Sequence, residues 1–388
     1  MANGQINLID DDEVVPSDQQ EAEDDLYPEK SRISDAVLFN TDWTVETLFR
    51  QIDKGNINLD PKFQRREAWD VDRKSKFIES ILCNFPIPNV VLAEDKASKG
   101  RYVVIDGKQR LFSIFSYLRD EFELRGLAIR NDLNGSRFSD LASTKIDDVG
   151  VVENYPIRTV IIRNWPDEDY LYTVFYRLNS GSLPLSPQEL RKALHGGILL
   201  DYIDEFIRCS PEFKRIFGEK LDPRMRDVEL VLRFVAFERF FAEYSGNLKV
   251  FLDKTVQFYD GAWAAEKMRL DLDLKGLSRA LDISSRVFGK DAFKKWNGTG
   301  YERRINRAVF DVITRYFSDD SVMEVAVQCS GDIRNRFNAL CEGNESFRES
   351  IERTTKTPAA VHVRYKLWGE QLANILGRRL DVQSMRII

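Results

Sequence analysis

The run Val103-Val104-Ile105-Asp106-Gly107-Lys108-Gln109-Arg110-Leu111 leaves this chain few ways to fold around it. Three β-branched residues closed by an acid predict a strand. The glycine permits a sharp turn, and the residues from about Gly107 to Leu118 read as a helix. A strand that turns through one glycine into a helix sets the helix's unsatisfied N–H groups and positive end beside that glycine. Lys108 and Arg110 add charge at the same corner. Anions, phosphates above all, bind such corners. Asp106, at the strand end, is placed to hold a divalent cation or orient a water. Strand–Asp–Gly–helix turns also occur as plain structure, so the residues alone leave both readings open.

Around this corner the first half of the chain alternates helical and strand patterns. Val45–Lys54 reads as a short helix. Asp72–Leu82 reads as another, capped by Asp70 or Asp72, with Phe77, Ile78, Ile81 and Leu82 on its apolar face. Pro86 and Pro88 stop that helix, and 89–93 then reads as a strand. Asp95–Gly100 is a hairpin turn into the strand Tyr102–Ile105, and Ile157–Ile162 is a further strand. From Asp167 onward the pattern is almost wholly helical, with apolar recurrence over Leu185–His195, Leu199–Ile207, Asp227–Tyr244, Asn306–Phe317 and Thr357–Arg378. The expected class is therefore α+β: a domain over 36–180 followed by a mostly α-helical domain over 181–388.

Charge and composition narrow the chemistry. Residues 1–35 hold eleven carboxylates against Lys30 and Arg32, so the overall charge of −6 hides a slightly basic body behind an acidic segment. That segment is expected to stay disordered as a solubilising arm, or to compete with nucleic acid for a basic groove. With 43% hydrophobic residues and no apolar run of transmembrane length, nothing predicts a membrane span. The N-terminus lacks a basic-then-apolar leader, and the expected location is cytoplasmic. The cysteines (Cys83, Cys209, Cys329, Cys341) form no C-x-x-C pair and are expected as buried free thiols. His195 and His362 are the only histidines and stand far apart, which argues against a zinc hydrolase or an HNH nuclease.

Two more clusters stand out. Pro61-Lys62-Phe63-Gln64-Arg65-Arg66-Glu67-Ala68-Trp69 reads as a basic loop anchored to the core by Trp69. In Phe175 to Ser186 one helix ends at Asn179-Ser180-Gly181 and another starts at Ser186, where Ser186-x-x-Glu189 is a capping box. Arg177 and Asn179 lie at that turn without an obvious local partner. Arg303-Arg304-x-x-Arg307 and Arg378-Arg379 are local basic patches, read first as solvated helix faces.

In this order and spacing the clusters resemble the N-terminal domain family of GmrSD-type, modification-dependent restriction systems, whose core is similar to the ParB/sulfiredoxin nucleotide-binding fold. The resemblance rests on Phe63-Gln64-Arg65 with Trp69, on Pro86-Ile87-Pro88, and on Asp106, Gly107, Gln109, Arg110 and Leu111. It continues in Phe175, Arg177, Leu178, Asn179, Gly181, Leu185, Glu189, Leu190 and Arg191. It extends to Arg224–Phe234 and Val287–Phe293 in the helical half.

The resemblance implies a nucleoside triphosphate (NTP)-binding and NTP-hydrolysing component of a bacterial defence system, with Mg²⁺ as cofactor and the nucleotide base open. Gly107, Lys108 and Arg110 would cradle phosphates, Asp106 would serve the metal or the attacking water, and Gln109 would join the catalytic set. Gln64 and Arg65 would close from the opposite loop, Arg65 stabilising charge on the transferred group. Arg177 and Asn179 would finish the rim. Position 108 is lysine where the family usually has glutamine. Lysine attracts phosphate more strongly but cannot accept a hydrogen bond from a water, which favours binding over turnover. Fused family members add an HNH nuclease that this sequence does not show, so a separate nuclease subunit is an expected partner, beside DNA and a second copy of the chain. The alternative is a non-catalytic DNA-binding or adaptor protein with a switch-only or vestigial nucleotide pocket.

Overall fold

The computed structural model describes residues 35–59, 69–178, 186–353 and 355–388. They fall into two compact units that divide between Leu194 and His195. The acidic segment and the loop carrying Gln64 and Arg65 lie outside the described residues, as does Asn179.

The first unit runs β1 (Val37–Thr44), α1 (Val45–Asp53), α2 (Val71–Leu82), β2 (Val90–Glu94), β3 (Tyr102–Asp106), α3 (Lys108–Leu118), α4 (Phe138–Thr144), α5 (Ile146–Asn154), β4 (Pro156–Arg163), α6 (Glu168–Leu178) and α7 (Pro187–His195). Asp70 caps α2, its Oδ1 accepting from the N–H of Arg73 at 2.8 Å, and the predicted apolar face of that helix is buried. The strands form a mixed sheet in the order β1-β4-β2-β3, with β2 parallel to β4 and the other pairs antiparallel. The β2–β3 hairpin closes through Asp95, whose N–H donates to the Arg101 carbonyl at 2.8 Å.

Both faces of the sheet centre are covered, which is why β2 reads as an unbroken apolar run rather than an alternation. Val90, Leu92 and Val104 enter one core with Leu48, Ile78, Leu111 and Ile114. Val91, Ala93 and Ile105 enter another with Leu171, Phe175 and Leu190, so α6 and α7 pack on the opposite face. Strand β1 is not predicted from the sequence. It lies at the sheet edge with Val37, Leu38 and Phe39 exposed, so burial imposes no period on it and its pairing with β4 alone defines it.

The second unit is helical: α8 (Ile198–Cys209), α9 (Pro211–Phe217), α10 (Arg226–Phe240), α11 (Leu248–Gly261), α12 (Trp263–Phe288), α13 (Arg307–Phe317), α14 (Asp320–Ala326), α15 (Ser330–Gly343), α16 (Glu345–Glu352) and α17 (Pro358–Ile375), closed by the hairpin β5 (Leu380–Asp381) and β6 (Arg386–Ile387). Every residue of α10 from Asp227 to Phe237 is buried, so its charged members need internal partners. Arg233 donates from Nε to Asp311 Oδ1 on α13 at 3.0 Å. Arg364 on α17 donates to the Thr355 carbonyl at 2.7 Å and lies 3.6 Å from Asp311 Oδ2. Arg307 meets Glu229 at 3.2 Å. Arg307 therefore belongs to this interior network and not to a surface patch, whereas Arg303, Arg378 and Arg379 are exposed.

Among the described residues no helix is long and apolar enough to cross a membrane. All four cysteines are free, but only Cys341 is buried and Cys209 is exposed, contrary to the expected buried thiols. Cys209 ends α8, where its Sγ lies 3.2 Å from Glu205 Oε1 on the solvent side.

Candidate functional site

The strand–glycine–helix corner forms as its sequence dictates. Gly107 adopts φ +94°, ψ 13°, a left-handed conformation that strains any residue with a Cβ. A Cβ there would also lie 3.0 Å from Val90 Cγ2 and 3.2 Å from Arg110 Nη2. Among the described residues no side chain caps the N-terminus of α3. Immediately before the turn, the β2–β3 ladder shifts register: Val91 pairs with Asp106 and Leu92 with Val104, leaving Ile105 as the extra residue of a bulge. Such a bulge re-aims the side chains beside it, here Asp106.

Asp106 and Arg110 meet directly. Arg110 Nη2 donates to Asp106 Oδ2 at 2.7 Å and to the Asn89 carbonyl at 2.8 Å. This one guanidinium thus ties the end of β3, the approach to β2 and the first turn of α3. Arg110 is buried, and its Nε has no hydrogen-bond partner among the described residues. The Asp106 side chain keeps 29% of its surface, so the pair is reachable from one side. Gln109 is brought to the same turn, and its Oε1 is buried without a partner among the described residues.

Lys108 brings in a residue that sequence reasoning had assigned only to structure. Its Nζ lies 4.0 Å from Glu189 Oε1 on α7, with the two side chains 12% and 4% exposed. The predicted capping box is present: Ser186 Oγ accepts from the Glu189 N–H at 3.0 Å, and Glu189 Oε2 accepts from the Ser186 N–H at 2.7 Å. One carboxylate oxygen of Glu189 therefore caps α7 while the other faces Lys108. Beside it Gln188 is buried, with Oε1 accepting from Arg191 Nη1 at 2.6 Å and Nε2 unpartnered. The available signal in the sequence was that a capping glutamate spends only one of its two oxygens.

Asp106, Gly107, Lys108, Gln109 and Arg110 are thus in one place. Arg177 is exposed in the last turn of α6, the helix that shares a core with Ile105. Gln64, Arg65 and Asn179 fall outside the described residues. Trp69, next to the first of those segments, packs on the core against Phe77 at 5.8 Å, as an anchor should.

Among the described residues no three His, Cys, Asp or Glu side chains converge to hold a metal. Asp106 alone does not make a protein-built metal cage, but Mg²⁺ commonly binds through one carboxylate plus substrate phosphates. An uncapped helix start and two unpartnered polar atoms, among the described residues, suit a phosphate group arriving with its own cation. His195 and His362 take no part: His195 Nε2 is 3.8 Å from Asp253 on α11, and the His362 ring stands edge-on to Phe241.

No curated protein and no solved structure matches the chain. Residues 45–196 match the family model described as the GmrSD restriction endonuclease N-terminal domain. That span holds the whole corner together with α7 and its Glu189.

Proposed function

We propose that the protein is a component of a modification-dependent restriction system that binds an NTP with Mg²⁺ at the Asp106–Arg110 corner and licenses a separate nuclease acting on DNA. The observation that carries this reading is the left-handed glycine between a bulged strand end and an uncapped helix whose first turn holds Lys108 and Arg110. The first turn of α3 and Lys108 receive the phosphates. Asp106 takes the cation that the nucleotide brings, or a water. Arg110 acts through Asp106, because its Nη2 is committed to that carboxylate and to the Asn89 carbonyl. Gln109 offers its unpartnered Oε1 as the acceptor for an attacking water. Arg177 is a further candidate for this pocket, as are Gln64, Arg65 and Asn179, which lie outside the described residues. The mixed sheet with its glycine corner supports the ParB/sulfiredoxin-like reading of this unit.

A second reading, a pocket that binds nucleotide as a switch without turning it over, is favoured by Lys108. Its ammonium has no acceptor with which to steer a water, and it faces Glu189. Phosphate release from ATP, GTP, CTP and UTP with Mg²⁺, with and without DNA, separates the two when paired with calorimetric binding. Turnover abolished by Asp106→Ala supports hydrolysis. Binding without turnover supports the switch. Absence of binding for all four nucleotides overturns both.

A further inference from the structure

We infer that Glu189 is the counter-ion of Lys108 and makes occupation of the corner depend on a divalent cation; this rests on the nucleotide reading above. Lys108 opens α3, so its ammonium sits at the positive end of the helix dipole, an unfavourable place for a cation. Glu189 relieves this from α7, at 4.0 Å and largely out of water. The second cation of the corner is matched in the same way, Arg110 to Asp106 at 2.7 Å. Among the described residues, Lys108 and Arg110 beside Gly107 therefore each stand against a carboxylate. A bare polyphosphate entering here is drawn by each of these cations and repelled by each of these carboxylates. A polyphosphate that carries Mg²⁺ meets the same carboxylates with its own charge reduced, and Asp106 becomes a ligand instead of a repulsion.

The corner is more than a helix end. Arg110 is buried to about nine-tenths, and its unpartnered Nε lies 3.3 Å from where a Cβ on Gly107 would sit. The polar capacity left over therefore lies against Gly107, at the N-terminus of α3.

Glu189→Gln tests the inference because the amide oxygen still accepts from the Ser186 N–H and keeps the α7 cap, while the charge is gone. Ser186→Ala is the control: it weakens the same cap and leaves the charge on Glu189. Each of the four ribonucleoside triphosphates is titrated calorimetrically into the full chain, with Mg²⁺ and with a chelator. The expected result is wild-type binding that falls at least tenfold when Mg²⁺ is removed, a Glu189→Gln variant that loses most of that difference by binding the metal-free nucleotide more tightly, and a Ser186→Ala variant that behaves like wild type. Binding with the same Mg²⁺ dependence in wild type and Glu189→Gln overturns the counter-ion role and leaves the nucleotide site standing. A gain in Ser186→Ala equal to that in Glu189→Gln also overturns it, since a loosened cap would then suffice. No binding by any form under either condition removes the nucleotide reading and this inference together.

Discussion

Charge is buried in both units of this protein, and it does different work in each. In the helical unit, Arg233, Asp311 and Arg364 join α10, α13 and α17 with side chains that water barely reaches: Asp311 is 0% exposed and Arg364 1%. Burial pulls the pKa of Arg233 down, but Asp311 and Glu229 overcome this and hold it above its usual value. Arg364, whose nearest charge is shared with Arg233, is lowered by burial and leans on the carbonyls of Ser350 and Thr355. At the sheet-unit corner Arg110 and Asp106 are as close, at 2.7 Å, yet Asp106 keeps 29% of its surface and the turn beside it has no Cβ. Unpartnered atoms occur in both places. Access distinguishes them: a closed ionic network fixes helices, and an open one can receive a ligand.

This contrast breaks first at Asp311. Asp311→Ala leaves Arg233 and Arg364 buried without their carboxylate and should cost about 3–5 kcal/mol in chemical denaturation. A loss under about 1 kcal/mol would mean the network is not what holds these helices.

Asp273 on α12 sharpens the point, because it is a buried carboxylate with incomplete compensation. Burial raises its pKa to about 6 against a weaker opposing pull from Arg269, and its Oδ2 has no partner. Folded protein therefore holds a proton here between about pH 4 and 6 that unfolded protein releases, so stability falls as pH rises through that window. Wild type should lose about 2–3 kcal/mol between pH 4 and 8 relative to Asp273→Asn, measured as the difference between their pH–stability curves. Parallel curves would show that Asp273 is better solvated than its position implies.

Gly107→Ala probes the open corner. The left-handed backbone and the 3.0 Å approach to Val90 predict a loss of about 1–2 kcal/mol. Nucleotide binding should fall by more than this strain alone explains, because the added Cβ presses on Arg110 Nη2, 3.2 Å away, and through it on Asp106. Unchanged binding in a folded variant would move the site elsewhere. At the small end, Arg50→Ala removes a solvent-exposed pair with Glu46 at 2.5 Å and should shift stability by less than about 0.5 kcal/mol.

What the sequence made legible follows from which constraints are local. The β3–Gly107–α3 corner is specified by neighbours in the chain: β-branched residues, one glycine, then a helical pattern. The caps at Asp70 and Ser186 are equally local, since each side chain reaches an N–H only three residues on. Strand β1 left no such mark, because Phe39-Asn40-Thr41-Asp42 at an exposed edge needs no alternation. The longest helix, α12, escaped individual notice because charged residues are spread through a helix whose apolar positions face several neighbours.

The sequence by itself determined the turn, the helix start and the cations at positions 108 and 110, because backbone conformation and side-chain type there depend on a few adjacent residues. Only the tertiary structure decided which carboxylate faces each cation. Asp106 is only four residues from Arg110, across the glycine turn, but Glu189 reaches Lys108 because α7 packs across the sheet by Leu190, on the side where Ile105 enters the core. That pairing is fixed by how a distant apolar face is buried, and the chemistry of the corner depends on it.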